Sequence, residues 1–369
     1  MEKRVFFAVT NDLNYDQRMI RICDSLTGAG YSVTLVGRED RRSLPLVSRA
    51  FGQHRLKMWF RRGTFFYVEY QFRLFFYLLR QQMDAVCAVD LDSILPCYFV
   101  SRLRGVVRVY DAHELFCEMK EVVSRPFVYR IWKAVERFAV PKFRFGYAVN
   151  EPIAAEFRRM YGVEYGVVRN LPILREGIAS SSGPVPGRYI LYQGAVNEGR
   201  CFETLIPAMK EVDALLMICG TGNFMEQAKE LVSQHGLQDR ILFRGPVRPE
   251  ELRSITRSAW CGITLFDRRG LSNYYSLANR FFDYMHAGIP QLAMNYPAYR
   301  EINNCYPIAV LLDEAGIRPI ADALNKLLND PDLYHMLSEG CKQARLRYNW
   351  QGEEKILVHL YQQVFNQFG

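Results

Sequence analysis

The sequence lacks the patterns that mark disulfide-rich, zinc-binding, secreted and membrane-spanning proteins. Its nine cysteines are scattered without CxxC or CxxH spacing, which argues against a zinc site or a disulfide framework and favours reduced thiols in the cytosol. The first residues, MEKRVFFAVTND, contain too short an apolar run for a signal peptide. No run of about 18 uninterrupted apolar residues occurs, so we expect no membrane-spanning helix.

Two recognition patterns are also missing. The first apolar run, residues 5–10, is not followed by GxGxxG, so the dinucleotide-binding fingerprint is absent there. No nucleic-acid recognition motif accompanies the basic residues. Hydrophobic residues make up 49% of the chain, including 22 Tyr and 24 Phe, which provides ample core and argues against disorder.

Positive charge is concentrated in the first half of the chain. Residues 1–180 contain 28 Lys and Arg against 19 Asp and Glu, a net charge of +9, whereas the remaining residues carry −1. Such a half could face anionic lipid, a phosphorylated acceptor or nucleic acid. Arginine-rich solvated faces explain the same excess.

The 369 residues are enough for two domains, and the order of the patterns predicts two doubly wound α/β halves. We expect one domain over residues 1–168, a linker rich in Gly, Ser and Pro over 169–187, and a second domain over 188–350. A long helical pattern over residues 345–368 predicts a terminal helix at 351–369. Short apolar runs predict buried parallel strands at 5–10, 31–37, 85–89, 106–110, 145–149, 189–192, 215–219, 241–243, 262–265 and 291–294.

Residues 55–82 (RLKMWFRRGTFFYVEYQFRLFFYLLRQQ) alternate arginines with aromatic residues. At helical spacing they would present Phe72, Phe75 and Phe76 beside Arg73. A basic aromatic stripe of this kind can lie on a membrane surface with its arginines toward lipid headgroups. A helix that faces the core is the alternative.

Polar residues follow several predicted strands in the first half. Asp111 and His113 come directly after the strand predicted at 106–110, and Asp90 and Asp92 follow the strand at 85–89. Open α/β sheets bind ligands beyond the carboxyl ends of their strands. His113 is therefore a candidate functional residue, although a histidine that only ends a strand is the usual case.

Residues 273–294 (NYYSLANRFFDYMHAGIPQLAM) predict a polar loop, a helix from about Leu277, a stop at Gly288 and Pro290, and a buried strand. The start of such a helix offers free backbone N–H groups and the positive end of a dipole, which suits a phosphate. Asp283 would lie about 9 Å inside the helix, at 1.5 Å per residue, where it could accept bonds from ribose hydroxyls. An ordinary amphipathic helix with one solvated Asp is the alternative.

Five stretches, taken in order, resemble glycosyltransferase family 4, the "group 1" retaining enzymes with the GT-B fold. They are NDLNYDQRMIRICDSLTGAGYSVTLVGR, VYDAHELFCE, GAVNEGRCFETLIPAM, ICGTGNF and SLANRFFDYMHAGIP. The resemblance implies two Rossmann-like domains facing across a cleft, with the terminal helix crossing back onto the first domain. It also implies a nucleotide-sugar donor, transfer of the sugar with retention of configuration, and no metal in the active centre.

The resemblance assigns roles to several residues of the second domain. Arg200 matches the basic residue that stabilises the leaving diphosphate. The residue after Gly194 is often a second cation in the family, but here it is Ala195; Arg280 could supply that charge instead.

The family's pair of Glu, separated by seven residues, corresponds here to Tyr275 and Asp283. Asp283 keeps a carboxylate for the ribose, whereas Tyr275 loses the acid that contacts the donor sugar. Ser276, Leu277 and Ala278 would offer backbone N–H groups to the phosphates or sugar.

Further residues are assigned by their place in the family's motifs. His113 matches a histidine that binds the sugar and stabilises charge at the reacting centre. Asn14 and Asp16 lie in a loop that approaches the acceptor and the donor phosphates. Gly222, and Val247 in the loop 245–248, would lie near the nucleobase. Tyr192 and Leu265 are expected in the core.

These features predict a cytosolic retaining glycosyltransferase, hexosyltransferase-like, that uses a UDP- or GDP-linked sugar and no further cofactor. Its acceptor would be a glycan or a lipid-linked molecule of cell-surface polysaccharide or glycolipid synthesis, at the inner face of the membrane. Three alternatives stay open: a sugar-nucleotide epimerase, a sugar phosphorylase, and a non-catalytic nucleotide-sugar-binding subunit. No convincing set of epimerase acids and bases, and no pyridoxal-lysine motif, can be assigned.

Overall fold

The computed structural model describes residues 2–41, 43–61, 63–175 and 188–368. The chain divides into two compact units: unit 1 is Met1–Asn170 with Glu353–Gly369, and unit 2 is Leu171–Gly352. Residues 176–187, which make up most of the predicted linker, lie outside the described residues. Each unit contains one parallel sheet flanked by helices, which confirms the predicted α/β class with two Rossmann-like domains.

Unit 1 has a seven-stranded sheet in the order β3-β2-β1-β4-β5-β6-β7. All of its neighbouring strands are parallel. The strands are β1 (Arg4–Ala8), β2 (Ser32–Glu39), β3 (Gly52–Lys57), β4 (Ala85–Val89), β5 (Val107–Ala112), β6 (Phe145–Ala148) and β7 (Gly166–Val167). The helices are α1 (Gln17–Gly28), α2 (Gly63–Leu79), α3 (Ile94–Arg104), α4 (Lys120–Val123), α5 (Pro126–Ala139), α6 (Glu151–Tyr161) and, from the chain end, α15 (Trp350–Phe368).

Unit 2 has a six-stranded parallel sheet in the order β10-β9-β8-β11-β12-β13. Its strands are β8 (Tyr189–Gln193), β9 (Leu215–Cys219), β10 (Ile241–Gly245), β11 (Cys261–Thr264), β12 (Gln291–Met294) and β13 (Ala309–Leu312). Its helices are α7 (Phe202–Ala208), α8 (Met225–Gln234), α9 (Pro249–Ser258), α10 (Leu271–Tyr275), α11 (Asn279–Ala287), α12 (Pro297–Cys305), α13 (Ile317–Asn329) and α14 (Pro331–Arg347). Short 3-10 helices cover Leu91–Ser93, Phe116–Glu118, Val140–Lys142 and Met209–Glu211.

In both sheets the strand order reverses beside the first strand, between β1 and β4 in unit 1 and between β8 and β11 in unit 2. Doubly wound sheets bind ligands beyond the carboxyl ends of the strands at this reversal. The sheet order therefore indicates one candidate ligand-binding edge in each unit.

The buried side chain of Tyr284 connects helix α11 to strand β8. The Tyr284 hydroxyl donates to the Leu191 carbonyl at 3.0 Å and accepts from the Gln193 backbone N–H at 3.2 Å. Gly262 lies so close that a Cβ atom there would be 2.3 Å from the Tyr284 ring. Gly288, with φ of 77°, ends the helix in the left-handed conformation as predicted.

Several predicted boundaries are wrong. The helix in residues 273–294 begins at Asn279, not at Leu277, and residues 271–275 form the short helix α10. Asp111 lies inside β5, not beyond it. The terminal pattern is divided because α14 ends at Arg347 and α15 begins at Trp350.

The basic aromatic stretch 55–82 is also divided, because its first residues belong to the edge strand β3 and α2 begins at Gly63. The core face of α2 consists of Phe66, Tyr70, Leu74 and Leu78. Phe72 and Phe76 are 62% and 50% exposed, so the stripe that they form does not face the core. Among the described residues, no helix is long and apolar enough to cross a bilayer.

We expect Tyr361→Ala to lower the free energy of unfolding by about 3–5 kcal/mol. Tyr361, on α15, is fully buried, with its ring centroid 6.0 Å from that of Phe7 and 6.5 Å from that of Tyr147. Urea denaturation should reveal the loss, whereas Tyr361→Phe should cost much less because it keeps the ring. Gln363→Ala, on the exposed side of the same helix, is the control, and an equal effect of Tyr361→Ala and the control would contradict this packing.

Candidate functional site

In unit 2 the predicted residues Arg200 and Arg280 lie together at the carboxyl ends of β8 and β11. Arg200 is held there by a relay of polar groups: its Nη1 donates to Asn273 Oδ1 at 3.1 Å, and Asn273 Nδ2 donates to Asp267 Oδ1 at 3.2 Å. The Asp267 backbone N–H donates to the Gly199 carbonyl at 2.9 Å. Gly199 and Cys201 have φ of 79° and 59°, so the chain bends sharply on both sides of Arg200. Arg200 is therefore positioned by α10 and by two loops.

Arg200 and Arg280 lie against the same aromatic ring. Their guanidinium carbons are 4.2 and 4.9 Å from the centroid of the Phe266 ring. Cations are attracted to the face of an aromatic ring, which offsets part of their mutual repulsion. The site thus holds two positive charges close together.

Arg280 reaches the loop in which the family often has a second cation. Its Nη1 donates to the Gln193 carbonyl at 2.9 Å, and its guanidinium carbon is 4.5 Å from the centroid of the Tyr192 ring. A Cβ atom on Gly194 would lie 3.2 Å from the same Nη1. Arg280 is 7% exposed, so it is a buried arginine directly beside Ala195's loop. Tyr192 and Leu265 are fully buried, as expected of core residues.

Asp283 is oriented by two buried polar side chains. Gln193 Nε2 donates to Asp283 Oδ2 at 2.8 Å, and the Thr256 hydroxyl donates to Gln193 Oε1 at 2.7 Å. Gln193 and Thr256 are buried, whereas Asp283 is half-buried. Asp283 lies four residues after Asn279, or about 6 Å along the helix axis. The carboxylate is closer to the helix start than the sequence predicts.

The backbone N–H groups before α11 are partly occupied. The Ser276 N–H donates to the Asn273 carbonyl at 3.3 Å, and the Ala278 N–H donates to the Tyr299 hydroxyl at 3.1 Å. The Leu277 N–H has no hydrogen-bond partner within the part of the chain that the structure describes. An anion at this position would bind Leu277 directly, and it would have to replace existing bonds to reach the other two.

Gly222 joins two loops at the same edge. A Cβ atom there would lie 2.2 Å from the Val196 carbonyl oxygen, so the close approach requires glycine. The Val196 N–H donates to the Thr221 carbonyl at 3.0 Å, and the Phe224 N–H donates to the Val196 carbonyl at 2.9 Å. This packing accounts for Gly222 by itself, and its contact with a nucleobase stays a prediction.

The remaining two residues predicted for unit 2 are half-buried. Tyr275 lies in α10, with its ring centroid 5.2 Å from that of Tyr274. Val247 packs against the small core cluster that contains Tyr189 and Leu191. Their contacts with a sugar and a base stay predictions.

In unit 1, His113 lies between two carboxylates. Its Nδ1 is 3.3 Å from Asp90 Oδ2, and its Nε2 is 3.3 Å from Asp111 Oδ2. Asp111 is fully buried and pairs with Arg18, whose Nη2 donates to Asp111 Oδ1 at 2.8 Å. The imidazole therefore has a carboxylate at each ring nitrogen.

These neighbours hold His113 in its charged form. Burial opposes the charge, but the carboxylates of Asp90 and Asp111 outweigh it and raise the pKa of His113 to about 9. Burial would raise the pKa of Asp111, but Arg18 and His113 lower it to about 2. Burial raises the pKa of Asp90 to about 7. At neutral pH His113 is thus an imidazolium, suited to stabilise negative charge and not to accept a proton.

Asp90 adopts a backbone conformation that is rare for any residue except glycine. Its φ is 57° and its ψ is 175°, a conformation that costs roughly 1–3 kcal/mol. The bend allows Asp90 Oδ1 to accept from the His113 backbone N–H at 2.8 Å while Oδ2 faces the imidazole. Asp90 therefore positions both the backbone and the ring of His113.

Asn14 and Asp16 have clear local contacts in unit 1. Asn14 Nδ2 donates to the Pro45 carbonyl at 2.9 Å, and its Oδ1 accepts from the Val47 N–H at 3.2 Å. Asp16 caps α1 by accepting from the Met19 N–H at 3.0 Å. These contacts explain both residues locally, and their contact with a donor or acceptor stays a prediction.

Two family models match successive parts of the chain. The model described as "Glycosyl transferase 4-like domain" matches residues 16–173, and the model described as "Glycosyl transferases group 1" matches residues 178–344. The chain belongs to the GT-B glycosyltransferases of the family-4-like type. The predicted family and GT-B fold are thus confirmed.

A curated relative and several solved structures are similar to this glycosyltransferase. D-inositol 3-phosphate glycosyltransferase from Corynebacterium urealyticum is 27% identical over 183 residues, which cover 48% of this chain and 40% of that protein. The match thus spans about two fifths of the curated relative.

The solved structures are similar in fold over nearly their whole length. Sucrose-phosphate synthase from Thermosynechococcus elongatus has a TM-score of 0.79 at 16% identity, covering 99% of this chain and 100% of the other. HepE from Anabaena, in complex with UDP and glucose, has a TM-score of 0.76 at 12% identity, covering 99% of each chain. WaaG, a glycosyltransferase involved in lipopolysaccharide biosynthesis, has a TM-score of 0.73 at 14% identity, covering 96% of this chain and 99% of the other.

The positioning residues of this glycosyltransferase are those that sequence reasoning missed. Gln193, Thr256 and Asn273 hold the predicted Asp283 and Arg200, and Asp90 holds His113. One signal is present in the sequence: Gln193 is a polar residue that ends the apolar strand β8. The partners themselves are distant in the chain, so only the fold brings them together.

We expect the His113 imidazole to titrate near pH 9, as measured by NMR of the ring nitrogens. Burial lowers the pKa of His54 and of His286, so the His113 signal should be separate from both. Asp90→Asn should lower the pKa of His113 because it removes one negative charge. His113→Gln assigns the signal, and a His113 pKa at or below 6.5 would refute the imidazolium.

The raised pKa of His113 makes the free energy of unfolding depend on pH. Because the folded pKa of His113 is raised, its contribution to stability is complete below its ordinary pKa of about 6.5 and is lost as the pH rises through about 9. Wild type and His113→Gln should therefore become more alike in free energy of unfolding as the pH rises across that window.

Proposed function

We propose that this protein transfers a sugar, with retention of configuration, from a nucleotide-sugar to a glycan or lipid-linked acceptor. The observation that carries the proposal is the pair of guanidinium groups of Arg200 and Arg280 around Phe266, beside the start of α11. Two fixed cations and the positive end of a helix dipole suit a diphosphate. The Asp283 carboxylate, one turn inside the helix, suits the ribose hydroxyls.

In the proposed reaction the bond between the anomeric carbon and the diphosphate oxygen breaks, and its electron pair goes to the diphosphate. The acceptor hydroxyl oxygen forms the new bond on the same face of the sugar, and its proton passes to the departing diphosphate. Arg200 and Arg280 stabilise the charge that develops on the leaving group, in a place where they need no reorganisation. No metal ion is part of this proposal.

His113 takes an electrostatic role in this proposal. Since both of its ring nitrogens face carboxylates, it is a poor candidate for a general base. As an imidazolium it stabilises negative charge on the donor through its own positive charge, without accepting a proton. Asp90 and Asp111 act through His113, so they are positioning residues.

Arg280 replaces the cation that Ala195 lacks. Arg280 belongs to α11 and not to the loop after β8. Its Nη1 nevertheless lies beside that loop, because a Cβ atom on Gly194 would be in contact with it. Tyr275 replaces the family's first Glu, so recognition of the sugar must rely on an aromatic ring and a phenol where relatives use a carboxylate. We therefore place the enzyme's sugar specificity at Tyr275.

Two solved structures of similar fold support one donor class and one biological setting. HepE is described with UDP and glucose, and WaaG with lipopolysaccharide biosynthesis. We extend these properties to this chain as a proposal: a UDP-linked donor, with GDP as the alternative base, and synthesis of a cell-surface polysaccharide or glycolipid. The basic first half and its exposed aromatic residues favour work in the cytosol at the inner surface of a membrane.

One observation favours a second function, a nucleotide-sugar-binding subunit without catalysis. Tyr275 stands where the family has an acid, while the residues proposed for the diphosphate and ribose are in place. A binding subunit would bind nucleotide and turn over no donor. A sugar-nucleotide epimerase would convert the donor and release no free sugar.

We expect slow hydrolysis of UDP- or GDP-sugar without acceptor, and a loss of 10²–10³-fold in Arg200→Ala. His113→Ala should also lose most activity because it removes the imidazolium. Release of nucleoside diphosphate from a panel of donors is the measurement. Arg318→Ala and His335→Ala, which change exposed residues, serve as matched controls. If Arg200→Ala and His113→Ala keep wild-type turnover, these two residues do not form the site.

We expect Asp283→Asn to weaken nucleotide binding about 10- to 100-fold, because hydrogen bonds to a charged group are worth roughly 1.5–3 kcal/mol. Calorimetric titration with UDP and GDP measures this loss, and Asp322→Asn, an exposed carboxylate on α13, is the control. A changed sugar preference with unchanged nucleotide affinity would instead place Asp283 against the sugar.

A further inference from the structure

The exposed aromatic residues of α2 line an open groove that lies entirely within unit 1. Its volume is about 740 Å³, within the range of about 300–1,000 Å³ that is typical of ligand pockets. The walls come from α2, α3 and the end of α5. The residues that line the groove are Gln71, Phe72, Phe75, Phe76, Leu95, Pro96, Tyr98, Phe99, Arg102, Leu103, Phe138 and Lys142.

The groove leaves a large apolar surface in contact with solvent. Phe72 is 62% exposed and Leu103 is 66% exposed, and Phe76, Phe99 and Phe138 are also exposed. Contiguous apolar surface of this kind marks an interaction site, because scattered exposed residues would not form one groove. The groove needs an apolar occupant.

Positive charge gathers around Tyr98 at the same groove. Arg102 Nη1 donates to the Tyr98 hydroxyl at 3.3 Å, and the charged groups of Arg108 and Lys142 lie 5.2 and 5.8 Å from the centroid of its ring. Within the described part of the chain, no carboxylate lies within 4.0 Å of these three cations. Burial lowers the pKa of Arg108, and the charge of Arg102 lowers it further. The cluster therefore lacks a compensating anion.

We propose that this groove binds an anionic phospholipid, with one acyl chain along the aromatic wall and the phosphate against Arg102 and Lys142, which line the groove, and near Arg108, which lies beside Tyr98. The positive charges beside the apolar groove favour a phospholipid, because its phosphate is negative and its acyl chain is apolar. An apolar protein helix would fill the groove but would leave the three cations without an anion, whereas a phospholipid satisfies both. The inference rests on the proposed function for its purpose, since it would hold the enzyme where a lipid-linked acceptor is found.

The test is flotation of the full-length chain with phosphatidylcholine vesicles, with and without phosphatidylglycerol, at low salt. We expect binding to the anionic vesicles, at least tenfold weaker binding in the double variant Phe72→Ser/Phe76→Ser, and roughly tenfold weaker binding in Arg102→Gln/Lys142→Gln. These four residues are exposed, so their replacement should cost little stability, which circular dichroism checks.

Matched controls distinguish binding at the groove from non-specific binding to exposed apolar or basic residues elsewhere. Phe127→Ser and Arg130→Gln/Arg137→Gln change exposed residues of α5 that do not line the groove. Control variants that lose as much binding as the groove variants would overturn the proposal. So would charge variants that weaken binding while the aromatic variant does not, because that result describes an electrostatic surface without an acyl-chain site.

Photocrosslinking tests the acyl chain directly. Phosphatidylglycerol with a diazirine near the end of one acyl chain, in the same vesicles, should label peptides of α2 and α3. Labelling confined to other segments, or no binding to anionic vesicles, would refute the groove as a lipid site and leave a protein partner as its occupant. Flotation requires no sugar donor, so the two proposals fail separately. Vesicle binding without donor hydrolysis would refute only the proposed function. Donor hydrolysis without vesicle binding would refute only the lipid site.

Discussion

The arrangement of unit 2 depends on two like charges that are kept together. Arg200 and Arg280 share the Phe266 ring; Arg200 donates to the Asn273 amide oxygen, and Arg280 donates to the backbone carbonyl of Gln193. The Gln193 carbonyl orients the Arg280 guanidinium but leaves its positive charge in place, whereas a carboxylate would cancel that charge. The free energy of bringing an anion to the site is lowered because the cations are already in place. The same Gln193 orients Asp283 with its side chain, so one residue connects the cationic and anionic parts of the site.

In unit 1 the positive charge is stabilised by carboxylates. There a single imidazolium is maintained by two carboxylates, and the more buried of these, Asp111, is itself balanced by Arg18. Removal of Arg18 would leave Asp111 as an uncompensated buried charge, so the ion pair is a condition for the charge on His113. The strained backbone of Asp90 is consistent with this role, because strain of this kind persists where surrounding contacts require one conformation.

The sequence predicts the sheets well because apolar runs mark buried parallel strands, and the strand at 291–294 has the predicted bounds. It misses β3 because the polar GQHRLK of this edge strand has no apolar run. It places Asp111 outside β5 because a buried carboxylate is unexpected without knowledge of Arg18, which is 93 residues away. It starts α11 too early because Ala278 stays extended, with its N–H bonded to Tyr299. The motif residues were thus predictable, and their through-space partners were not.

The second cation of unit 2 is Arg280 on a helix, whereas the family often has it in the loop at position 195, and this changes how rigidly the cation is held. A cation at position 195 would depend on the loop after β8, whereas Arg280 is carried by α11, which also carries Asp283. Because α11 is fastened to β8 through Tyr284 and Gln193, Arg280 and Asp283 belong to one rigid element. Tyr275 lies outside α11, in the short helix α10. Under the proposed function, sugar recognition at Tyr275 can therefore change between relatives without disturbing Arg280 and Asp283.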